Sequence, residues 1–120
     1  MHLLLIEPDR LTAEAIIDFL QSNGNTIKWA QGAEQAIAAI DNQVPGVVIT
    51  ELALGAHSGI EFLHEFKSYA EWSDIPIIVF TVDYFAGPAN LLKLGASAYL
   101  YKPKTPLTLL LQTINNLTTK

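Results

Sequence analysis

Four stretches of this sequence place residues capable of chemistry directly after a short apolar run. Glu7, Pro8 and Asp9 follow the run 2–6, Glu51 follows the run 46–50, and Thr81, Val82 and Asp83 end the run that begins at Ile75. Lys102 and Pro103 follow the run 97–101. If these runs are parallel strands of an open sheet, ligands bind beyond their carboxyl ends, where the strand order reverses. Two acids, a third acid, a hydroxyl and a lysine then converge at one edge. Acid clusters hold a hard cation through oxygens, and Lys and Thr hold phosphoryl oxygens. Taken singly, each residue also reads as a solvated loop residue or a cap, and Asp9 is well placed to cap the helix after it. Their convergence is the argument for a site.

The elements that must position these residues are legible in the hydrophobic period. The runs 2–6, 25–30, 46–50, 75–80 and 97–101 are β-like, and amphipathic helical stretches lie between them. Leu11, Ala15, Ile16, Phe19 and Leu20 share one helical face, as do Ala33, Ala36, Ile37 and Ile40. Ile60, Phe62, Leu63 and Phe66 form the third, Leu91, Leu92 and Leu94 the fourth, and Leu107, Leu110, Leu111, Ile114 and Leu117 the fifth. Asn23-Gly24-Asn25, Pro45-Gly46 and Gly95 supply the turn chemistry this parse needs. Pro88 is tolerable only in a first turn, so the fourth helix starts there. The second to fourth strands are nearly continuously apolar, which predicts a parallel sheet covered on both faces, an α/β layer architecture in five β-α units.

Composition narrows the function classes. The 120 residues suit one domain, and the absence of Cys excludes a disulfide scaffold and thiolate metal sites. No apolar run approaches the roughly 20 residues of a membrane span, and the N-terminus lacks the pattern of a signal peptide. A cytoplasmic location without membrane contact is the default expectation. Only 16% of residues are charged, against about 25% in typical domains. Residues 1–83 hold all twelve acids with Arg10, Lys28 and Lys67, whereas 84–120 hold Lys93, Lys102, Lys104 and Lys120 and no acid. A net charge of −5 argues against direct nucleic-acid binding.

Along essentially its whole length, 1–120, the chain resembles the receiver domain of bacterial response regulators, the module that accepts a phosphoryl group from a histidine kinase onto an aspartate. Leu-Leu-Ile-Glu7-Pro8-Asp9 resembles the opening strand and acidic pair, and Pro45-Gly-Val-Val-Ile-Thr-Glu51-Leu the phosphoacceptor strand. Gly59 resembles the glycine that opens the third helix, and Ile75-Pro-Ile-Ile-Val-Phe-Thr81 the switch strand. Gly95-Ala-Ser-Ala-Tyr99-Leu-Tyr-Lys102-Pro103 resembles the final strand with its Lys-Pro signature. The resemblance implies a flavodoxin-like, doubly wound five-stranded parallel sheet, (βα)5, of order 2-1-3-4-5. It implies that Lys102 contacts the phosphoryl site, Thr81 senses it and Tyr99 is the rotating switch aromatic. The implied partners are a histidine kinase or another signalling protein or domain.

The departures fall on the catalytic positions. Glu51 stands at the phosphoacceptor position, its carboxylate about 1.5 Å further out than that of aspartate, which is costly for a transfer that depends on in-line positioning. Glu7 is retained in type, but Pro8, at the second acidic position, has no ligand atom. Glu7 and Glu51 remain the only weak metal candidates, with Asp9 in the acidic pocket, so Mg²⁺ is expected to bind weakly or not at all and no other cofactor is expected. Gly55 loosens the loop after the third strand, and Val82 narrows the site. Thr50 and Ser58 are expected in surface or capping roles, His57 and His64 lack a third ligand, and His2 is a strand residue.

The expectation is an atypical receiver, or pseudo-receiver, acting by protein-protein interaction with impaired or absent phosphorylation, and not an enzyme. The alternative is a metal-dependent phosphoacceptor with residual phosphorylation at Glu51. Glu51 is placed either to bind Lys102 and Thr81 and hold an active-like state, or to form only a structural ion pair. A carboxylate is smaller and less charged than a phosphate, which favours the second. A flavin or nucleotide site has little support, since neither G-x-G-x-x-G nor a P-loop is present. The fifth helix, 105–119, has no charge and more apolar residues than one core stripe needs. Leu107, Leu109, Leu110, Leu111 and Ile114 are therefore expected at an interface, for a homodimer or another domain, through helices four and five.

Overall fold

The computed structural model of the chain describes residues 1–54, 57–83 and 88–118. Strands and helices alternate: β1 (His2–Ile6), α1 (Arg10–Ser22), β2 (Thr26–Ala30), α2 (Ala33–Asn42), β3 (Val47–Thr50) and α3 (Gly59–Ser68). They continue as β4 (Ile77–Thr81), α4 (Pro88–Lys93), β5 (Ala98–Tyr101) and α5 (Leu107–Thr118). The five strands make one parallel sheet in the order β2-β1-β3-β4-β5, the doubly wound order that the family resemblance implied. The expected strand 75–80 is shifted: the Ile75 amide turns back to the Trp72 carbonyl at 3.0 Å, and the strand starts at Ile77 and runs through Thr81. A two-residue hairpin, Ala53–Leu54 against His57–Ser58, was not anticipated; it is too short to leave a period in the sequence.

Alternation along the strands supplies two cores. Leu3, Leu5, Val47, Ile49, Ile78 and Phe80 pack with Ala13, Ile16 and Leu20 of α1 and with Leu110 and Ile114 of α5. Leu4, Ile6, Val48, Ile77 and Val79 pack with Ala36 and Ile40 of α2, with Phe62, Leu63 and Phe66 of α3, and with Leu91 of α4. Because both faces are covered, inward and outward positions are apolar alike, and the strands read as continuous runs. Each fully buried Leu or Ile contributes about 1.5–3 kcal/mol, so truncating Leu63 to Ala costs about 2–5 kcal/mol. Lys67, at the end of α3, donates to the carbonyls of Ser73 and Ile75 at 2.9 and 2.8 Å. It thereby ties the helix to the approach to β4, and desolvation holds its ammonium below the usual lysine range.

The structure corrects the expectation for α5. Leu110 and Ile114 are fully buried in the α1 core layer, and Leu107 and Leu111 are half-buried against the same layer. Of the five residues expected at an interface, Leu109 alone is exposed, at 40%. The apolar stripe is wide because α5 covers the sheet edge near β5 while also meeting α1, and that width consumes most of the leucines.

Candidate functional site

β1 and β3 end side by side. The Glu51 amide donates to the Ile6 carbonyl and the Glu7 amide to the Ala30 carbonyl, each at 3.0 Å, so backbone ladders fix both acids at the sheet edge. Both carboxylates are buried, at 3% exposure. The chain after Glu51 is held by α3, whose first residue is Gly59: a Cβ there would lie 2.6 Å from the Leu52 Cα and 2.8 Å from the Glu51 carbonyl oxygen. Only glycine admits that approach. The Ser58 hydroxyl caps the helix by accepting from the Ile60 amide at 3.1 Å, as expected for a capping residue. Thr50 departs from expectation: it is fully buried and donates to the Glu51 carbonyl at 2.9 Å.

Lys102, from the turn after β5, reaches between the two acids. Its ammonium lies 2.6 Å from Glu51 Oε2 and is also bonded to Glu7 Oε1. The sequence pointed to the Lys102–Glu51 pair; the Glu7 bond became visible only in three dimensions. Two buried carboxylates thus share one ammonium, which also stands 5.6 Å from the centre of the Phe80 ring. Removing a charge from water is costly unless its partners are good, and here the remaining oxygens are satisfied. The Asp9 amide donates to Glu7 Oε2 at 3.1 Å. Glu51 Oε1 accepts from the Thr81 hydroxyl and from the Ala53 amide at 3.2 Å, and the Val82 amide donates to both oxygens at 3.2–3.3 Å. Among the described residues no buried side-chain polar atom lacks a partner.

The bonds continue outward from Thr81. Its hydroxyl oxygen accepts from the Asp83 amide at 3.0 Å, and the Asp83 carbonyl accepts from the Tyr99 hydroxyl at 2.8 Å. Glu51, Thr81, Asp83 and Tyr99 are therefore linked in one relay from the sheet edge to β5.

Other expected residues sit elsewhere. The Asp9 carboxylate is not in the acidic pocket: it caps α1, accepting from the Thr12 hydroxyl at 2.5 Å and the Thr12 amide at 2.9 Å. Those two bonds, the hydroxyl first, hold its carboxyl below the usual aspartate range. Pro8 is exposed at the rim. The Val82 side chain is 55% exposed and contributes to the site through its amide. His2 shares a hydrogen bond with Thr26 and His64 is exposed. Gly55 and the His57 side chain lie outside the described residues. Among the described residues, no three acidic or histidine side chains gather as a metal cage. No helix among them is long and apolar enough to cross a membrane.

Comparison with known proteins matches this geometry to a family. The chain is 29% identical over 104 residues to the response regulator MprA of Mycobacterium sp. strain KMS, covering 86% of this chain and 44% of that one. It therefore spans less than half the length of that regulator. Its fold superposes on a two-component response regulator from Clostridium difficile at a TM-score of 0.88, with 23% identity over 98% of this chain and 94% of that one. It superposes equally, at 0.88, on the chemotaxis protein CheY4 of Vibrio cholerae, with 20% identity over 97% of each chain. The family model of the response regulator receiver domain matches residues 3–114, and the chain belongs to that family.

Proposed function

We propose that this chain is an atypical receiver that works in two-component signalling by protein-protein contact, with phosphorylation at the acceptor position impaired or absent. It is not an enzyme in this reading, and it acts in the cytoplasm on a histidine kinase, another signalling protein or a neighbouring domain. The observation that carries the reading is the saturation of Glu51. The Thr81 hydroxyl, the Val82 and Ala53 amides and the Lys102 ammonium all point at its carboxylate. These are the hydroxyl, amide and ammonium donors suited to the oxygens of a phosphoryl group.

The donor set does not fit a resident Mg²⁺, which demands about six oxygens in near-octahedral order. Glu7 and Glu51 spend their oxygens on Lys102 and backbone amides, Pro8 offers none, and the Asp9 carboxylate is turned to Thr12. Thr81 bound to Glu51 and Tyr99 bound to the Asp83 carbonyl favour the version in which Glu51 holds one switch state without any modification. Incubation with acetyl phosphate and Mg²⁺ followed by intact mass measurement tests the reading. The expected result is an unmodified chain; a stable phosphoryl adduct on Glu51 overturns it in favour of a residual phosphoacceptor.

A further inference from the structure

β2 is the outer strand at the end of the sheet opposite β5, and α2 packs over it. Leu4, Ile6 and Ala30 belong to the core layer under α2. Side chains alternate along a strand, so His2, two before Leu4, and Lys28, two before Ala30, lie on that same face. On α2, Gln35, Ala38, Ala39 and Asn42 follow the i, i+3, i+4, i+7 spacing of a single stripe. Strand face and stripe border a groove of about 380 Å³, which Trp29 and Gln43 complete. That size falls among small-molecule sites, roughly 300–1,000 Å³. The room comes from Ala38 and Ala39, whose methyl groups leave free what longer side chains on the stripe would fill.

The polar groups around the groove have bonding capacity left. Gln35 Oε1 accepts from the Gln31 amide at 2.9 Å, and one His2 ring nitrogen pairs with the Thr26 hydroxyl at 3.1 Å. The Lys28 ammonium and the Asn42 and Gln43 carboxamides bond no described residue. Although the chain has twelve acids, none lines the groove. We propose that this groove binds a small carboxylate that carries amide groups, the chemical class of N-acylated amino acids and short peptides. Lys28 supplies a compact positive charge for the carboxylate. The three carboxamides, each donor and acceptor, answer the amides of the ligand in both senses. A phosphate fits less well, because it brings close to two charges to one lysine with no arginine fork. Asn42 and Gln43 also mark the C-terminal, negative end of α2, which disfavours a second charge and favours the ligand's N–H donors. Trp29 touches both this groove and the loop that carries Glu7, since its indole N–H donates to the Glu7 carbonyl at 2.8 Å. The site goes beyond the reading of Glu51 and does not depend on it.

Titration of N-acetyl-dialanine into the full isotope-labelled chain tests this. Saturable shifts are expected at the His2, Lys28, Asn42 and Gln43 amides and at the Trp29 indole N–H, with affinity falling as salt is added. The methylamide of the same peptide, which lacks the charge, is expected to bind at least about tenfold more weakly. Lys28→Met is expected to abolish that difference, and Ala38→Leu to remove binding by filling the groove. Lys28 is exposed, so Lys28→Met keeps the fold and carries the test if Ala38→Leu does not fold. No saturable shift, shifts confined to another face, or equal affinity of the wild type for acid and methylamide overturns the proposal. So does displacement of the peptide by an equal concentration of inorganic phosphate, or wild-type affinity in a folded Ala38→Leu chain.

Discussion

Lys102 lies 2.6 Å from Glu51 Oε2 while its ammonium also serves Glu7, so one cation neutralises two buried carboxylates from different strands. The Lys102→Met change leaves both acids buried and facing each other. Loss of one partner from a buried ionic cluster costs about 3–5 kcal/mol, and urea unfolding is expected to show a loss near that size. Adding Glu51→Gln to the same variant removes one of the two orphaned charges. The double variant is expected to be more stable than Lys102→Met alone, the coupling that a shared cluster requires.

Glu51→Asp shortens the side chain by one methylene, withdraws its carboxylate from Thr81, Val82 and Lys102 and leaves those donors facing an open space. Replacing Pro8 by Asp adds a carboxylate next to Glu7 at the same edge. The Pro8→Asp, Glu51→Asp variant is expected to accept a phosphoryl group from acetyl phosphate in the presence of Mg²⁺, visible as a mass adduct that disappears when Mg²⁺ is chelated. An unmodified double variant would show that the other groups of the site are not competent to hold the transferred group.

Gly95 ends the α4 region with φ +110, and a Cβ there would lie 2.7 Å from Lys67 Cγ. Gly95→Ala therefore combines backbone strain of about 1–2 kcal/mol with a collision against a flexible stem. In a Lys67→Ala background the collision is gone and the strain remains. Thermal unfolding of the two single variants and the double is expected to show Gly95→Ala costing less in that background, but still destabilising it. Lys67→Ala alone also releases the Ser73 and Ile75 carbonyls, losing about 1–3 kcal/mol.

The Asp9 cap makes a pH prediction with a definite sign. Its carboxyl is held below 3.8 in the folded chain, mainly by the Thr12 hydroxyl and then by the Thr12 amide. A depressed folded value stabilises the fold above 3.8, and that contribution is lost as pH falls through the lower folded value. The difference in urea midpoint between wild type and Asp9→Ala is expected to be constant near neutrality and to shrink below pH 3.8.

Strand identity was legible because a parallel sheet covered on both faces writes long apolar runs, and β1 (His2–Ile6) is bounded as its run predicted; the strand order came from the family resemblance. The helix starting at Pro88 was legible for a local reason, the missing amide of proline. The Ala53–Leu54 hairpin was not, since two residues carry no period. Leu110 and Leu109 are adjacent and identical in type, yet one is buried and the other exposed. The helical period already put Leu110 and not Leu109 on the core face; what it left open is how wide a stripe the sheet and α1 cover, which half-buries Leu107 and Leu111 as well.

The sequence by itself determined which functional groups reach the carboxyl edge of the sheet, because the apolar runs mark where each strand ends and a parallel topology puts those ends at one edge. It also determined that Pro8 brings no ligand and that the last third of the chain has no acid, since both are facts of composition. Tertiary structure decided how those groups are spent. Glu7 and Glu51 close on one ammonium, Asp9 turns away to its helix, and Thr81 passes the contact on through Asp83 to Tyr99. Hydrogen bonds and ion pairs between residues as far apart as Glu7 and Lys102 depend on ångström placement of side chains, and only the packed sheet supplies it.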